Sequence, residues 1–450
     1  MLIARRVALA ATLIGALASS LFLPATANAQ AGRPSCRTVD SAPLDREQAR
    51  TADPRTAALT ERAGFGDFVR RFPGALCTAR TAAEAERLVD AWGEALWRAG
   101  VGRAQGHRSG GGQLGGGRPG GGLPGGDLPA PDDRPLYWTR VAMTVQLSRW
   151  QPDFSIDAAA LRQRFEDASR GLADNGFTGR PGVRRILVSG FDPFGLDAEP
   201  RRANPSGSAA LQLNGRRITL ADGTPAEIRA VLLPVRYGDF DRGIVERAFG
   251  PRLAPGPRSA DLITTISQGY PGLFTLEAWA GRARSADPYP DNTGALSGGT
   301  REHPVTAPGM GPGAEFIATS LPTGTMTAVQ QPYPVRLNTT VTEIPAGADR
   351  PVDRADGPTP GARAVAGGGG GYLSNEVAYR TNRLRLELAP QLPGGHLHTP
   401  VLTGLPEQPD QLTGPVFEQN EAAITAEILA VLRNTVPAAD AGRADEHRAG

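Results

Sequence analysis

From Arg184 onward the sequence predicts an α/β fold with a central sheet. Two observations predict it: short aliphatic runs of strand length alternate with stretches of helical period, and Gly, Pro and Asn punctuate the junctions. The first strand carries Ile186, Leu187 and Val188 and runs into a tight aromatic turn, Gly190 Phe191 Asp192 Pro193 Phe194 Gly195. Asn204, Pro205 and Ser206 then supply a helix start, Asn as cap and Pro as the first helical residue. Residues 228–235 and 262–267 read as buried strands with a helix over 239–248 between them, and 417–432 as a closing amphipathic helix. Residues 293–371 are rich in Gly, Pro and Thr and predict an inserted hairpin or lid.

Ahead of that region, residues 30–108 read as helical. Thr81 and Glu84 form a capping box, followed by Ala85, Leu88, Val89, Trp92 and Leu96 at helical spacing as far as Gly100. Residues 109–126, SGGGQLGGGRPGGGLPGG, can bury almost nothing and read as a flexible linker. Asp133 and Pro135 open a helix with Trp138, Val141, Ala142 and Val145 on one face; Asp157 opens another with Leu161, Phe165, Ala168 and Leu172. These two helices are expected to extend the α/β domain by packing on it. The polar tail from Pro437 is expected to carry no fold.

Arg5 and Arg6, an apolar run from Val7 to Leu23, and Ala27 Asn28 Ala29 read as a secretory signal cleaved after Ala29, with a retained membrane anchor as the alternative. The expected location is therefore extracellular, and the mature chain is not an integral membrane protein. In an oxidising compartment the two cysteines, Cys36 and Cys77, are most simply a disulfide, worth roughly 3 to 4 kcal/mol in the chain-entropy model. A net charge of +2 with no basic face argues against a nucleic-acid partner. All 48 basic side chains are arginine. Without lysine, Schiff-base chemistry and a Walker-type phosphate loop are excluded.

The turn at Gly190–Gly195 resembles the GFxPFGG signature of pyroglutamyl peptidase I, and further segments follow in that family's order. Leu233 Pro234 Val235 with Tyr237 Gly238 is similar to its LPV segment, and Gln268 Gly269 to its GQ. Glu277 followed by Asp291, Asn292 and Gly294 resembles E…PDNxG, and Gly371 Tyr372 Leu373 Ser374 Asn375 resembles AGxxxCN with serine in place of cysteine. Gly395 His396 Leu397 His398 Thr399 Pro400 is similar to GFIHVP. The resemblance covers about the C-terminal sixty per cent of the chain. It implies a three-layer α/β/α sandwich with a central mixed sheet, covering 181–436, and removal of N-terminal pyroglutamate from peptides without metal or cofactor. It implies Ser374 as nucleophile, His398 as base and Glu277 as the group that orients it, with Phe191, Phe194 and Gln268 holding the lactam. A homo-oligomer is possible by the same resemblance.

Several residues depart from that pattern. Leu196 stands where the second glycine of the turn belongs, and Ala278 where an arginine follows the acid; Glu376, Asp287 and Asp291 are alternative carboxylates. Serine lacks the thiolate's head start, so its attack needs a close base and a strong oxyanion site, which the Gly367–Gly371 amides before a helix could supply. Ser374 could instead be an N-cap, and His398 a structural strand histidine. His396 and His398, two apart on one face, could suit a metal, but no third ligand is evident. A non-catalytic relative that binds pyroglutamyl peptides or lactams is the competing reading. No GxSxG elbow supports an unrelated serine hydrolase.

Overall fold

The computed structural model describes residues 37–39, 43–106 and 128–436; the expected signal, Cys36, the 109–126 linker and the tail from Pro437 lie outside the described residues. Seven strands form the central sheet: β1 (Arg184–Phe191), β2 (Arg217–Thr219), β3 (Pro225–Leu233), β4 (Leu262–Gln268), β5 (Phe274–Glu277), β6 (Val335–Asn338) and β7 (Gly394–Thr399). Their order is β6-β5-β7-β4-β1-β3-β2. The sheet is mixed: β7 runs parallel to β4 and antiparallel to β5, and β2 is antiparallel to β3.

Strand alternation sends Ile186, Val188 and Leu232 to one face of the sheet and Leu187, Val231 and Leu233 to the other, each into its own apolar cluster. Among the described residues the longer helices are α1 (Pro54–Arg62), α2 (Gly66–Leu76), α3 (Ala82–Ala104), α4 (Arg134–Arg149), α5 (Ala158–Ala168), α6 (Pro205–Leu213), α7 (Ile244–Leu253), α8 (Leu373–Leu388) and α9 (Pro415–Arg433). Helices α6 and α9 cover the first face; α7 and α8 cover the second. The result is a three-layer α/β/α sandwich with added N-terminal helices. Asn204 caps α6 by accepting from Ser206 N, with Pro205 next in line.

Local chemistry modifies some expected elements. The helix expected over 239–248 is two pieces, Tyr237–Asp241 and α7, because Gly243 between them takes φ +76°. Thr81 accepts from Glu84 N as expected, but the Glu84 carboxylate accepts from Arg80 N rather than from the cap residue's own N–H. Asp133 leaves α4 uncapped and instead accepts from Asn204 N. Asp157 does cap α5, which stops short of Leu172. In the Gly/Pro/Thr-rich stretch, β6 joins the main sheet as an edge strand, and Val341–Ile344 pairs with both Val352–Arg354 and Arg363–Ala366 in a separate antiparallel sheet.

The helices before and after the linker pack together: α3 on α5, α2 and α1 on α4, and α3 on α6. Phe72 and Phe165 stack at 5.5 Å, and Trp92 closes on Phe72 at 5.4 Å. This apolar layer is continuous with the first face of the sheet. Among the described residues no helix is long and apolar enough to cross a membrane.

Candidate active site

Four strand ends and one helix start converge on a cavity of about 310 Å3. Its lining includes Phe191 and Phe194 from the turn after β1, Gln268 from the end of β4, His398 from β7 and Ser374 from the first turn of α8. Register explains the meeting of distant residues. His396 stands opposite Glu277 and His398 opposite Thr275 across β7 and β5, so side chains of the same parity share a face.

His398 Nδ1 lies 2.8 Å from Glu277 Oε1, with both side chains buried. Glu277 is fixed from two further directions: Thr275 Oγ1 donates to Oε1 at 2.5 Å and Asn338 Nδ2 donates to Oε2 at 2.7 Å. The carboxylate thus occupies Nδ1 and leaves Nε2 as the nitrogen able to act on a ligand. The alternative carboxylates are committed elsewhere. Glu376 pairs with Arg284 and Arg380, Asp287 accepts from Ser297, and Asp291 accepts from Tyr237 N and Thr293.

The glycine run before α8 is a packing requirement. A Cβ on Gly368 would sit 2.0 Å from Glu277 Oε2, and one on Gly369 would sit 3.1 Å from His398 Cε1. Only a bare backbone lets the loop reach the Glu277–His398 pair. Helix α8 starts at Leu373 with Tyr372 as its N-cap, so Ser374 lies in the first turn and is not the cap residue. Its hydroxyl donates to the Gly369 carbonyl at 2.9 Å. The first-turn N–H groups of Leu373 and Ser374 precede any intrahelical acceptor and carry the positive end of the helix dipole.

His396 is not free for a metal. Its Nδ1 lies 2.6 Å from Thr265 Oγ1 and its Nε2 lies 2.7 Å from Ser267 Oγ. Burial, with a smaller contribution from His398, pushes its pKa well down, so the ring is neutral. Among the described residues, the acidic and histidine groups that could converge on one metal are Asp132, Asp133 and Glu421, none of which lines this cavity.

The aromatic turn is held by helices outside the motifs. Asp192 accepts from Arg140 at 3.0 and 3.1 Å and from Arg170 at 2.6 Å, all three residues being about 1% exposed. Asn292 Nδ2 donates to the Pro193 carbonyl and to the Tyr137 hydroxyl. Arg236 joins Glu47 and Glu166. Burial alone would raise the Glu166 carboxyl, but Arg236, Arg170 and Arg140 together hold it well below the usual range. Phe191 stacks on Phe240 at 6.2 Å, and Gln268 Oε1 accepts from Leu402 N, which fixes the amide at the cavity wall.

Thr275, Asn338, Arg140 and Arg170 were not legible as site residues, because strand register and helix packing alone bring them there. Tyr270 and Tyr372 line the cavity as well. Tyr372 stands between the glycine run and Ser374 in the segment that resembles AGxxxCN, and that position was the signal available for it.

Fold and site together define an α/β protein with a buried Glu–His pair and a helix-start serine at one cavity. Residues 25–167 match the PA0049 N-terminal domain family, and residues 185–310 and 334–403 match the PA0049 C-terminal domain family. The chain is 34% identical over 478 aligned positions to the uncharacterized protein PA0049 of Pseudomonas aeruginosa, the alignment covering 84% of each. It belongs to the PA0049 family. Among solved structures it is similar to pyrrolidone carboxyl peptidase from Thermococcus litoralis, with a TM-score of 0.37, 17% identity, and coverage of 56% of this chain and 94% of that one. Pyroglutamyl peptidase I from Bacillus amyloliquefaciens gives a TM-score of 0.34 at 21% identity, covering 55% and 96%.

Proposed function

We propose that this protein hydrolyses the amide bond after an N-terminal pyroglutamyl residue, with Ser374 as nucleophile, His398 as general base and Glu277 as the group that orients it. The observation that carries the reading is the 2.8 Å Glu277–His398 contact at a cavity that also takes in Ser374 and the Phe191 and Phe194 rings. The flat lactam would lie against the aromatic turn, with Gln268 at its polar edge. Ser374 Oγ would turn from Gly369 to His398 Nε2, lose its proton there and bond to the pyroglutamyl carbonyl carbon. The developing oxyanion would be met by first-turn N–H groups of α8. The C–N bond then breaks, the leaving amine takes the proton from Nε2, and water releases the acyl group with His398 again as base.

The second reading is a lactam or pyroglutamyl-peptide binder without turnover. The Ser374 hydroxyl bond to the Gly369 carbonyl favours it, because that bond holds the proton on oxygen and directs it away from the base. Turnover of a pyroglutamyl amide and calorimetric binding of pyroglutamate separate the two. If serine is the nucleophile, Ser374→Ala abolishes cleavage and His398→Ala loses a comparable amount. If the protein only binds, native and Ser374→Ala are alike, while Ser374→Cys can gain thiol-type activity. Native cleavage that survives Ser374→Ala overturns the triad; no pyroglutamate binding by folded protein at millimolar ligand overturns both readings.

A further inference from the structure

A second cleft of about 500 Å3 adjoins the candidate active site. Tyr270 lines both cavities, and the glycine loop divides them, with Gly369 on one side and Gly368 and Gly370 on the other. The far wall of this cleft is β6, an edge strand from the stretch between the recognisable motifs. Across the sheet, His398 stands opposite Thr275 and Thr275 opposite Arg336, so the three form one row on one face. Neighbouring strands lie about 4.8 Å apart, which sets Arg336 roughly 10 Å from His398 along the backbone plane.

The charges in this cleft do not balance. Asp353 accepts from Arg301 and Thr342, and the nearby Glu277 is occupied by His398, Thr275 and Asn338. Arg336 is exposed and makes no hydrogen bond or ion pair with the described residues. Tyr270, 51% exposed, adds apolar surface at the wall shared with the candidate active site. A guanidinium that lines a concave site and has no acid paired with it among the described residues is suited to an incoming carboxylate.

On the reading that pyroglutamyl peptides are the ligands, we infer that this cleft receives the leaving peptide and that Arg336 binds its carboxylate, which makes short pyroglutamyl peptides with a free C-terminus the preferred class. An extended residue spans about 3.3 to 3.6 Å. Two residues beyond the scissile bond, together with the reach of an arginine side chain, cover the separation.

The test uses the full chain carrying Ser374→Ala, so that nothing is cleaved, with and without Arg336→Gln. Calorimetry compares pyroglutamate, pyroglutamyl-Ala-Ala and the C-terminal amide of that tripeptide. The free acid is expected to bind about tenfold more tightly than the amide, and Arg336→Gln to bring the ratio near one. Equal binding of acid and amide, or a preference that survives Arg336→Gln, overturns the inference. Pyroglutamate binding with no gain for either peptide overturns it while leaving the lactam site intact. Failure of pyroglutamate itself to bind removes the functional reading and this inference with it.

Discussion

Asp192→Asn tests whether the N-terminal helices shape the cavity. The Asp192 carboxylate sits between two buried guanidiniums, with bonds of 3.0 and 3.1 Å to Arg140 and 2.6 Å to Arg170. Asparagine keeps the shape but removes the charge and turns an amide N–H₂ toward one arginine. Removing one partner of a buried ion pair costs about 3–5 kcal/mol, because the remaining charge stays desolvated. Glu166 still pairs with Arg170, at 2.8 Å, so the expected loss is about 3 kcal/mol, at the lower end of that range. Arg140→Met leaves Asp192 paired with Arg170 and should cost less. The backbone carries the effect to the site, since Asp192 lies between Phe191 and Pro193 and its carbonyl accepts from Asn204 Nδ2. Urea denaturation of the full chain gives the stability loss, and calorimetry with pyroglutamate should show binding weakened by about tenfold or more. A loss under about 1 kcal/mol would refute the charge argument. Unchanged lactam affinity in a measurably destabilised Arg140→Met protein would refute the coupling to the cavity.

Gly368→Ala places a Cβ 2.0 Å from Glu277 Oε2 and should push the carboxylate off His398, lowering kcat/KM by at least about tenfold; retained activity in a folded variant would show that the loop can yield. Burial, aided by the Asp132 carboxylate, pushes Glu421 from its ordinary 4.5 up to about 8, so the folded protein keeps a proton that the unfolded chain releases between those values. Its contribution is complete below the unfolded pKa and is lost as pH rises through about 8; Glu421→Gln should flatten this fall in the urea midpoint, and an equal fall in the variant would exclude it. Intact-mass analysis of exported protein should show a chain beginning at Gln30 with no alkylatable thiol before reduction, as a Cys36–Cys77 bridge requires; two free thiols would exclude the bridge.

The helices ahead of the sheet are more than an appendage in energetic terms. Tyr137, Arg140, Glu166 and Arg170 place their polar ends against Asn292, Asp192 and Arg236, which belong to three separate motif segments. Those charges are buried where water cannot screen them, so their pairing fixes one geometry with little tolerance. The apolar faces of the same helices, through Trp92, Phe72 and Phe165, supply the burial that offsets the desolvation.

Local sequence settled what depends on neighbours along the chain. Alternation of aliphatic strands with helices marked β1, β3 and β4, and Asn204–Pro205 marked the start of α6, because caps and periodicity act within a few residues. The order of short motifs singled out Glu277, Ser374 and His398. Tertiary structure decided their relation. Glu277 meets His398 only because β5 and β7 pair in one register, across 121 residues of sequence separation. Ser374 reads as a cap from composition, yet the backbone starts α8 at Leu373 and turns the hydroxyl to Gly369. Asn338 and Arg336 come from an unmotivated Gly/Pro-rich stretch, and only the pairing of β6 with β5 brings them beside the site. Strand pairing and helix docking are governed by burial and hydrogen bonding between segments far apart in the chain, and a single sequence carries no local mark of which segment its partner will be.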